Sequence, residues 1–417
     1  MSFNDWTSIK LGELIESISI KHDFEKDELI FLNTSDVLEG KVLHHNYSEV
    51  AKMPGQAKKS IQKGDILFSE IRPKNKRFAY IDFDAKDFVV STKLMVLRRK
   101  SSLIDNKFLY KLLTSDRMLN YLQHIAEGRS GTFPQITFSE LKNIDILLPS
   151  IQEQIAIAKT LDDLDEKIEI NNKINKKLEE MAQAIFKQWF VDFEFPNEDG
   201  KPYKSSGGEM VESELGMIPK GWEVKKLSEV ISVKDGTHDS PKAKEDGFSL
   251  ITSKHIKGNK ILYNEAKLIS KEDFDKINKR SKVDTNDILI TMIGTVGNLI
   301  IVNKENVDFA IKNIGLIKTS ENEEIFEFVY LYLKSKEMKN YIESRLAGST
   351  QQYISLNELR NIPIILPKKE ILTKFKKIIK SIFEQITIDI REESNLIHLR
   401  DTLLPKLMSG EIRVPID

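Results

Sequence analysis

Leu141-Lys-Asn-Ile-Asp-Ile-Leu-Leu-Pro149 is answered later in the chain by Leu359-Arg-Asn-Ile-Pro-Ile-Ile-Leu-Pro367. The step is 218 residues (359 − 141), and it also carries Ile136 onto Ile354, Ile168 onto Ile386, Leu178 onto Leu396 and Ile185 onto Leu403. The chain is written twice. Two similar halves imply a pseudo-twofold axis, and such a protein can engage two partners or one partner in two parts.

Outward from this pair, shorter matches follow. Trp6-Thr-Ser-Ile-Lys-Leu-Gly-Glu-Leu-Ile15 parallels Trp222-Glu-Val-Lys-Lys-Leu-Ser-Glu-Val-Ile231. Phe31-Leu-Asn-Thr-Ser-Asp-Val37 parallels Leu250-Ile-Thr-Ser-Lys-His-Ile256, and Lys63-Gly-Asp-Ile-Leu-Phe-Ser69 parallels Thr285-Asn-Asp-Ile-Leu-Ile-Thr291. Here the step drifts between 216 and 222, so the copies differ by short loop insertions. These stretches are short, β-branched and bounded by Gly, Asn and Asp, which predicts strands and turns. Helical pieces are expected around 104–126 and 324–346.

After each globular copy the period changes. From Ile151, apolar residues recur at alternating steps of three and four: Ile157, Leu161, Leu164, Ile168, then Asn171 and Asn175, then Leu178. The shifted positions are Phe375, Ile379, Ile382, Ile386, then Asp389 and Glu393, then Leu396. Both seams are apolar at the ends and polar in the middle. A heptad seam predicts a coiled coil, and polar seam residues fix register. Matching polar centres favour an antiparallel pair. At 1.5 Å per residue a helix of about 40 residues is about 60 Å long, a ruler between two binding surfaces.

The expected fold class is α/β (α+β): two similar mixed α/β domains separated by two long helices that pair as an antiparallel coiled coil. The expected boundaries are 1–149 for the first domain, 150–190 for the first helix and 191–221 for a Gly-, Pro- and Ser-containing linker. The second domain then covers 222–367, and 368–417 holds the second helix and C-terminal segment. The apolar run from Leu407 to Val414 is expected to pack as a strand.

Composition narrows the function. The 417 residues carry 63 Lys+Arg against 64 Asp+Glu and no cysteine, which excludes disulfides and thiolate metal sites and fits a reducing cytoplasm. Neither a membrane span nor a secretory leader is expected. Net charge is −1, yet Lys and Arg cluster: residues 52–100 hold 13 against 5 acidic residues, whereas residues 1–50 hold 4 against 10. A local basic patch can bind phosphates on a neutral molecule. No Gly-x-x-x-x-Gly-Lys-Ser/Thr loop, dinucleotide fingerprint, His-Glu-x-x-His or nucleophile elbow occurs, and Gly294-Thr-Val-Gly297 is too short for a nucleotide loop. No metal site is expected. A binding protein is favoured over an enzyme, with a pure protein adaptor as the alternative.

The candidate nucleic-acid contacts are polar loops. Arg72, Lys74, Lys76 and Arg77 form a basic loop suited to phosphates or guanine. Arg129, Ser130, Thr132 and Gln135 in copy one correspond to Thr350, Gln351 and Gln352 in copy two; small residues allow close approach and Gln can bond adenine. Thr237, His238 and Ser240 form a third candidate, and copy one shows no matching loop near Ile20-Lys-His-Asp-Phe24.

Four stretches together carry a family resemblance: Gln152-Glu-Gln-Ile-Ala-Ile-Ala-Lys-Thr-Leu-Asp-Asp-Leu-Asp-Glu-Lys-Ile168, Ser206-Gly-Gly-Glu-Met-Val-Glu-Ser-Glu-Leu-Gly-Met-Ile-Pro-Lys-Gly-Trp222, Asp235-Gly-Thr-His-Asp-Ser-Pro241 and Leu403-Leu-Pro-Lys-Leu-Met-Ser-Gly-Glu-Ile-Arg413. The chain resembles the DNA-specificity subunit of type I restriction–modification systems across both halves. The resemblance implies two target-recognition domains, each reading one half of an asymmetric, split double-stranded DNA sequence. It implies conserved spacer helices that dock two modification methyltransferase subunits, with restriction subunits joining that complex. S-adenosylmethionine, ATP and Mg would belong to those partners, and this chain would be non-catalytic and cytoplasmic.

Overall fold

The computed structural model describes residues 6–128 and 134–415. The chain forms two compact units, Met1–Ile170 with Glu392–Asp417, and Asn171–Arg391.

Unit 1 is built on a four-stranded antiparallel sheet, ordered Ile15–Ile18, Leu94–Arg99, Ile66–Ser69, Phe78–Tyr80. The residues Ile66–Ser69 and Leu94–Leu97 are wholly buried, so these strands read as continuous apolar runs without alternation. A second sheet contains Glu28–Leu32 parallel to Phe88–Ser91, with Ala57–Ser60 antiparallel on the outside. Helices Asn106–Thr114 and Asp116–Glu127 close one side; Asp105 and Ser115 cap their N-termini with side-chain oxygens, as short polar residues do.

Unit 2 repeats this plan. Its four-stranded sheet is ordered Val233–Asp235, Ile314–Ile317, Ile288–Thr291, Leu299–Ile301. Phe248–Ile251 lies parallel to Phe309–Ile311, as its counterparts do in unit 1. One element differs: where unit 1 has the strand Ala57–Ser60, unit 2 has a helix, Lys271–Ser281, packed on the strand Phe309–Ile311. The helices Phe326–Leu333 and Lys336–Glu343 take the places of the unit 1 pair.

The matched stretches found in the sequence mark a shared buried ion pair. Asp65 is fully buried and accepts from Arg98 at both carboxylate oxygens, at 2.7 and 2.8 Å. In unit 2, buried Asp287 receives Lys318 at 2.6 Å, and Asp284 receives the same ammonium at 2.8 Å. A buried carboxylate persists only when it is paired and hydrogen-bonded, which explains why the Asp is kept in both copies while its cation varies.

The long helices are Ile151–Phe186 and Lys369–Ser409. In each unit, portions of both run antiparallel. In unit 1, Asp165 accepts from Arg400 at 2.9 Å and Lys167 meets Glu392 at 3.1 Å, while Leu407 shares a core with Ile157 and Leu161. In unit 2, Phe375 packs against Phe186, Trp189 and Phe190, and Ala182, Ile379 and Phe383 join the same core. Ile157, Leu161, Phe375, Ile379 and Ile386 are buried, whereas Leu164, Ile168, Leu178, Ile382 and Leu396 are partly exposed. Asn171, Asn175, Asp389 and Glu393 are all buried. Leu372 and Phe383 are buried seam residues that the shifted heptad positions did not include.

Two expectations are revised. The C-terminal run is not a strand: the helix continues through Pro405 to Ser409, because Leu403, Leu404, Leu407 and Met408 recur at helical spacing on the unit 1 core. Gly410, at φ 75°, ends it, and Arg413 then forks onto buried Glu153. The segment 191–221 is not merely a linker. Met210–Ser213 and Gly216–Pro219 pair as a hairpin, and Phe190, Phe193 and Phe195 surround Trp222 at 5.0–5.8 Å.

Candidate nucleic-acid interface

In unit 1, register places several loops at one end of the four-stranded sheet. Ser69 pairs with Leu94, and Ile18 with Val96. The chain beyond Ser69, the turn before Leu94 and the chain beyond Ile18 therefore emerge together. The basic loop is part of this end. Pro73–Asn75 forms one 3₁₀ turn, flanked by Arg72 at φ 45° and Lys76 at φ 53°, both left-handed. The Arg72 N–H donates to the Pro134 carbonyl at 3.0 Å, Ile136 N–H donates to Glu70 at 2.8 Å, and Ile71 bridges Gln135. Arg72 and Gln135, chosen separately from the sequence, are thus brought side by side.

Not every cation of the loop is offered to solvent. Arg77 donates to the carbonyls of Ser35 at 2.9 Å and Val37 at 3.4 Å, so it braces the loop. Lys76 reaches Asp116 at 3.2 Å across a largely exposed pair, and the Lys74 N–H donates to Gln123. Arg72 and Lys74 are exposed, as are Lys58 and Lys93 of the basic cluster and Lys21 of the neighbouring segment. Lys59 donates inward to the carbonyls of Thr92 and Leu94, and burial pushes its ammonium below the usual lysine range. Burial pushes the Glu70 carboxyl up. Arg129, Ser130 and Thr132 lie outside the described residues.

Unit 2 assembles the same end from different residues. Thr291 pairs with Ile314 and Asp235 with Gly315. Gly294 N–H donates to the Gln352 carbonyl at 2.9 Å, Ile354 N–H donates to Met292 at 2.9 Å, and Ile293 bridges Tyr353. Gly294 at φ 80° stands where unit 1 has Arg72, and Gly297 at φ 90° where it has Lys76. The short Gly294–Gly297 stretch is the counterpart of the basic loop. Thr350, Gln351 and Gln352 are exposed in the turn closed by the Ala347–Tyr353 pair, and Tyr353 is 45% exposed.

Thr237, His238 and Ser240 occupy the same end. The Gly236 N–H donates to Ile314 and the Thr237 N–H to Ile311; a Cβ on Gly236 would stand 2.4 Å from the Ile311 carbonyl oxygen. Buried Asp235 holds Arg280 and, at 3.0 Å, His238, whose other ring nitrogen lies 2.7 Å from Asn313. Ser240 meets Lys312. A cavity of about 320 Å³ opens between this loop and the Lys271–Ser281 helix, lined by Thr237, Ser240, Lys276 and Arg280. In copy one the chain beyond Ile18 pairs differently: the His22 N–H donates to Lys58, whereas the Thr237 N–H donates to Ile311. His22 is buried and its Nδ1 accepts from the Phe24 N–H, unlike exposed His238.

Two copies of one mixed α/β frame, each showing polar loops at one sheet end and each followed by a long helix, define a duplicated recognition protein. The chain matches the family described as type I restriction modification DNA specificity domain twice, over residues 4–180 and 219–397, and belongs to that family. It is 33% identical to the type I restriction enzyme HindI specificity subunit of Haemophilus influenzae, across 98% of this chain and 100% of that protein. It is 32% identical to the type I restriction enzyme MjaIX specificity subunit of Methanocaldococcus jannaschii, across 74% of this chain and 69% of that one. A crystal structure of a type I restriction-modification system S subunit from M. genitalium covers 98% of this chain and 97% of its own, at TM-score 0.49 and 20% identity. No helix among the described residues is long and apolar enough to cross a membrane.

Proposed function

We propose that this chain binds one asymmetric, two-part double-stranded DNA sequence, each copy reading one part, and that it carries two modification methyltransferase subunits and, through them, restriction subunits. The observation that carries this reading is the repeated sheet end, with exposed Lys21, Lys58, Arg72, Lys74 and Lys93 in unit 1 and exposed amides in unit 2. Cations at that density suit phosphates, and amides suit base edges. A second observation supports paired protein partners. Ile170 and Met181 are exposed on the first long helix, Ile388 and Leu399 on the second, and each pair is related by the 218-residue step. Eleven residues is within about 20° of three full turns, so each pair shares one helix face. Equivalent exposed apolar residues on the two helices fit two copies of one partner. The chain acts in the cytoplasm and is non-catalytic; S-adenosylmethionine, ATP and Mg are held by its partners.

Co-expression with the cognate modification subunits, followed by genome-wide mapping of methylated adenines, tests this. A single two-part motif with a fixed gap, lost when this chain is omitted, is expected. Methylation that persists unchanged without the chain overturns the reading.

A further inference from the structure

The duplication supplies an internal control that separates framework from reading surface. At the sheet end three backbone contacts recur in both copies, although the Gly294–Gly297 loop is one residue shorter than Arg72–Lys76. One N–H bond joins the left-handed residue to the second loop, Arg72 to Pro134 and Gly294 to Gln352, at 3.0 and 2.9 Å. A second returns from Ile136 to Glu70 and from Ile354 to Met292, at 2.8 and 2.9 Å. One bridge, Ile71 with Gln135 or Ile293 with Tyr353, completes the frame. The isoleucines inside the frame are kept: Ile71 and Ile293, Ile136 and Ile354.

The side chains at the frame's polar positions are not kept. Arg72 faces Gly294 in the comparison, Lys76 faces Gly297, Pro134 faces Gln352 and Gln135 faces Tyr353. Two of these changes run against backbone preference. A side chain in the left-handed region costs about 1–2 kcal/mol that glycine avoids, so a copy under structural selection alone would carry glycine at both places, as copy two does. Copy one instead holds cations there. Recurring framing contacts with divergent side chains are the pattern expected where two equivalent frames meet two different sequences.

We infer that positions 72, 76 and 135 in copy one, and 294, 297, 352 and 353 in copy two, are specificity-determining residues that make the two half-sites different. Copy one reads with cations and an amide. Copy two approaches the bases more closely through Gly294 and Gly297, with the Gln352 amide and the Tyr353 ring at the contact. Tyr353, absent from the sequence-derived candidates, is the residue this inference adds. It rests on the proposed DNA-reading function.

The test is Tyr353→Gln in the full chain, co-expressed with the modification subunits, with methylated adenines mapped genome-wide beside the wild-type chain. One half of the two-part motif is expected to change or lose its preference at one or two bases, by about tenfold to a hundredfold, with the other half and the gap unchanged. Gln135→Tyr is expected to alter the opposite half only. Where a variant complex no longer methylates, selection of bound duplexes from a randomised pool reads the same preference. A wild-type motif that both variants reproduce in full overturns the inference and leaves the DNA-reading function standing. Absence of any chain-dependent motif in the wild type instead defeats that function itself.

Discussion

Arg72→Gly separates stability from binding at one residue. Arg72 sits at φ 45°, ψ 77°, beyond the centre of the left-handed basin. A Cβ there costs about 1–2 kcal/mol, and glycine gives back about 0.5–1 kcal/mol through its freer unfolded chain. Relative to Arg72→Ala, which removes the same side chain, the net expectation for Arg72→Gly is a gain of about 0.5–1 kcal/mol, or about 2 °C in the melting temperature of a unit this size. Arg72→Ala keeps the strain and gives no such gain. Both variants lose the guanidinium, so the slope of log affinity against log salt should fall by about 0.9 for one lost phosphate contact. Differential scanning calorimetry beside salt-titrated DNA binding by the complex measures the two arms. A stability order with glycine below alanine refutes the strain argument, and an unchanged salt slope refutes the phosphate contact.

Removing the carboxylate in Asp65→Ala strands a mostly buried guanidinium and should cost about 3 kcal/mol, seen as faster hydrogen exchange along Leu94–Arg99. Arg98→Lys should cost well under half of that, because Lys318 serves the same place in unit 2. Phe375→Ala, at 1% exposure and 4.7 Å from Phe190, should cost about 3–5 kcal/mol in denaturant unfolding of unit 2. Burial holds the Glu327 carboxyl above the ordinary carboxylate range, and its Oε2 has no partner among the described residues. The folded state therefore binds the proton more tightly than the unfolded chain. Its contribution is present at low pH and is lost as pH rises from the ordinary glutamate value through the raised one; Glu327→Gln should flatten that part of the stability profile.

The repeat and the paired helices were legible because they rest on periodicity. Apolar residues at heptad steps and buried β-branched runs survive divergence, since the core tolerates few alternatives. The sheet end was only half legible. Arg72 and Gln135 stood out by residue type, but Gly294–Gly297 carries no charge and read as a failed nucleotide loop. The Gly294–Gly297 loop is also one residue shorter than Arg72–Lys76 and shares no side-chain type with it, so nothing in the residues ties the two together. The Leu407–Val414 run misled because apolar content was weighed without its spacing. The exchange of the strand Ala57–Ser60 for the helix Lys271–Ser281 follows from packing that no local signal announces.

Unit 1 is assembled from the two extremes of the chain, and this has a consequence during synthesis. Arg413 reaches Glu153 across 260 residues of sequence, and Leu403, Leu404 and Leu407 join a core that otherwise ends at Leu161. Unit 2 is one uninterrupted stretch, 171–391. On the ribosome, the core of the part translated first therefore lacks Leu407 and the Arg413 partner of Glu153 until residues beyond 392 have emerged. The later unit can close ahead of the earlier one. At about 5–20 residues per second that delay is about 10–50 s, a window in which the helix face that Leu407 covers is open to a chaperone or a second nascent chain.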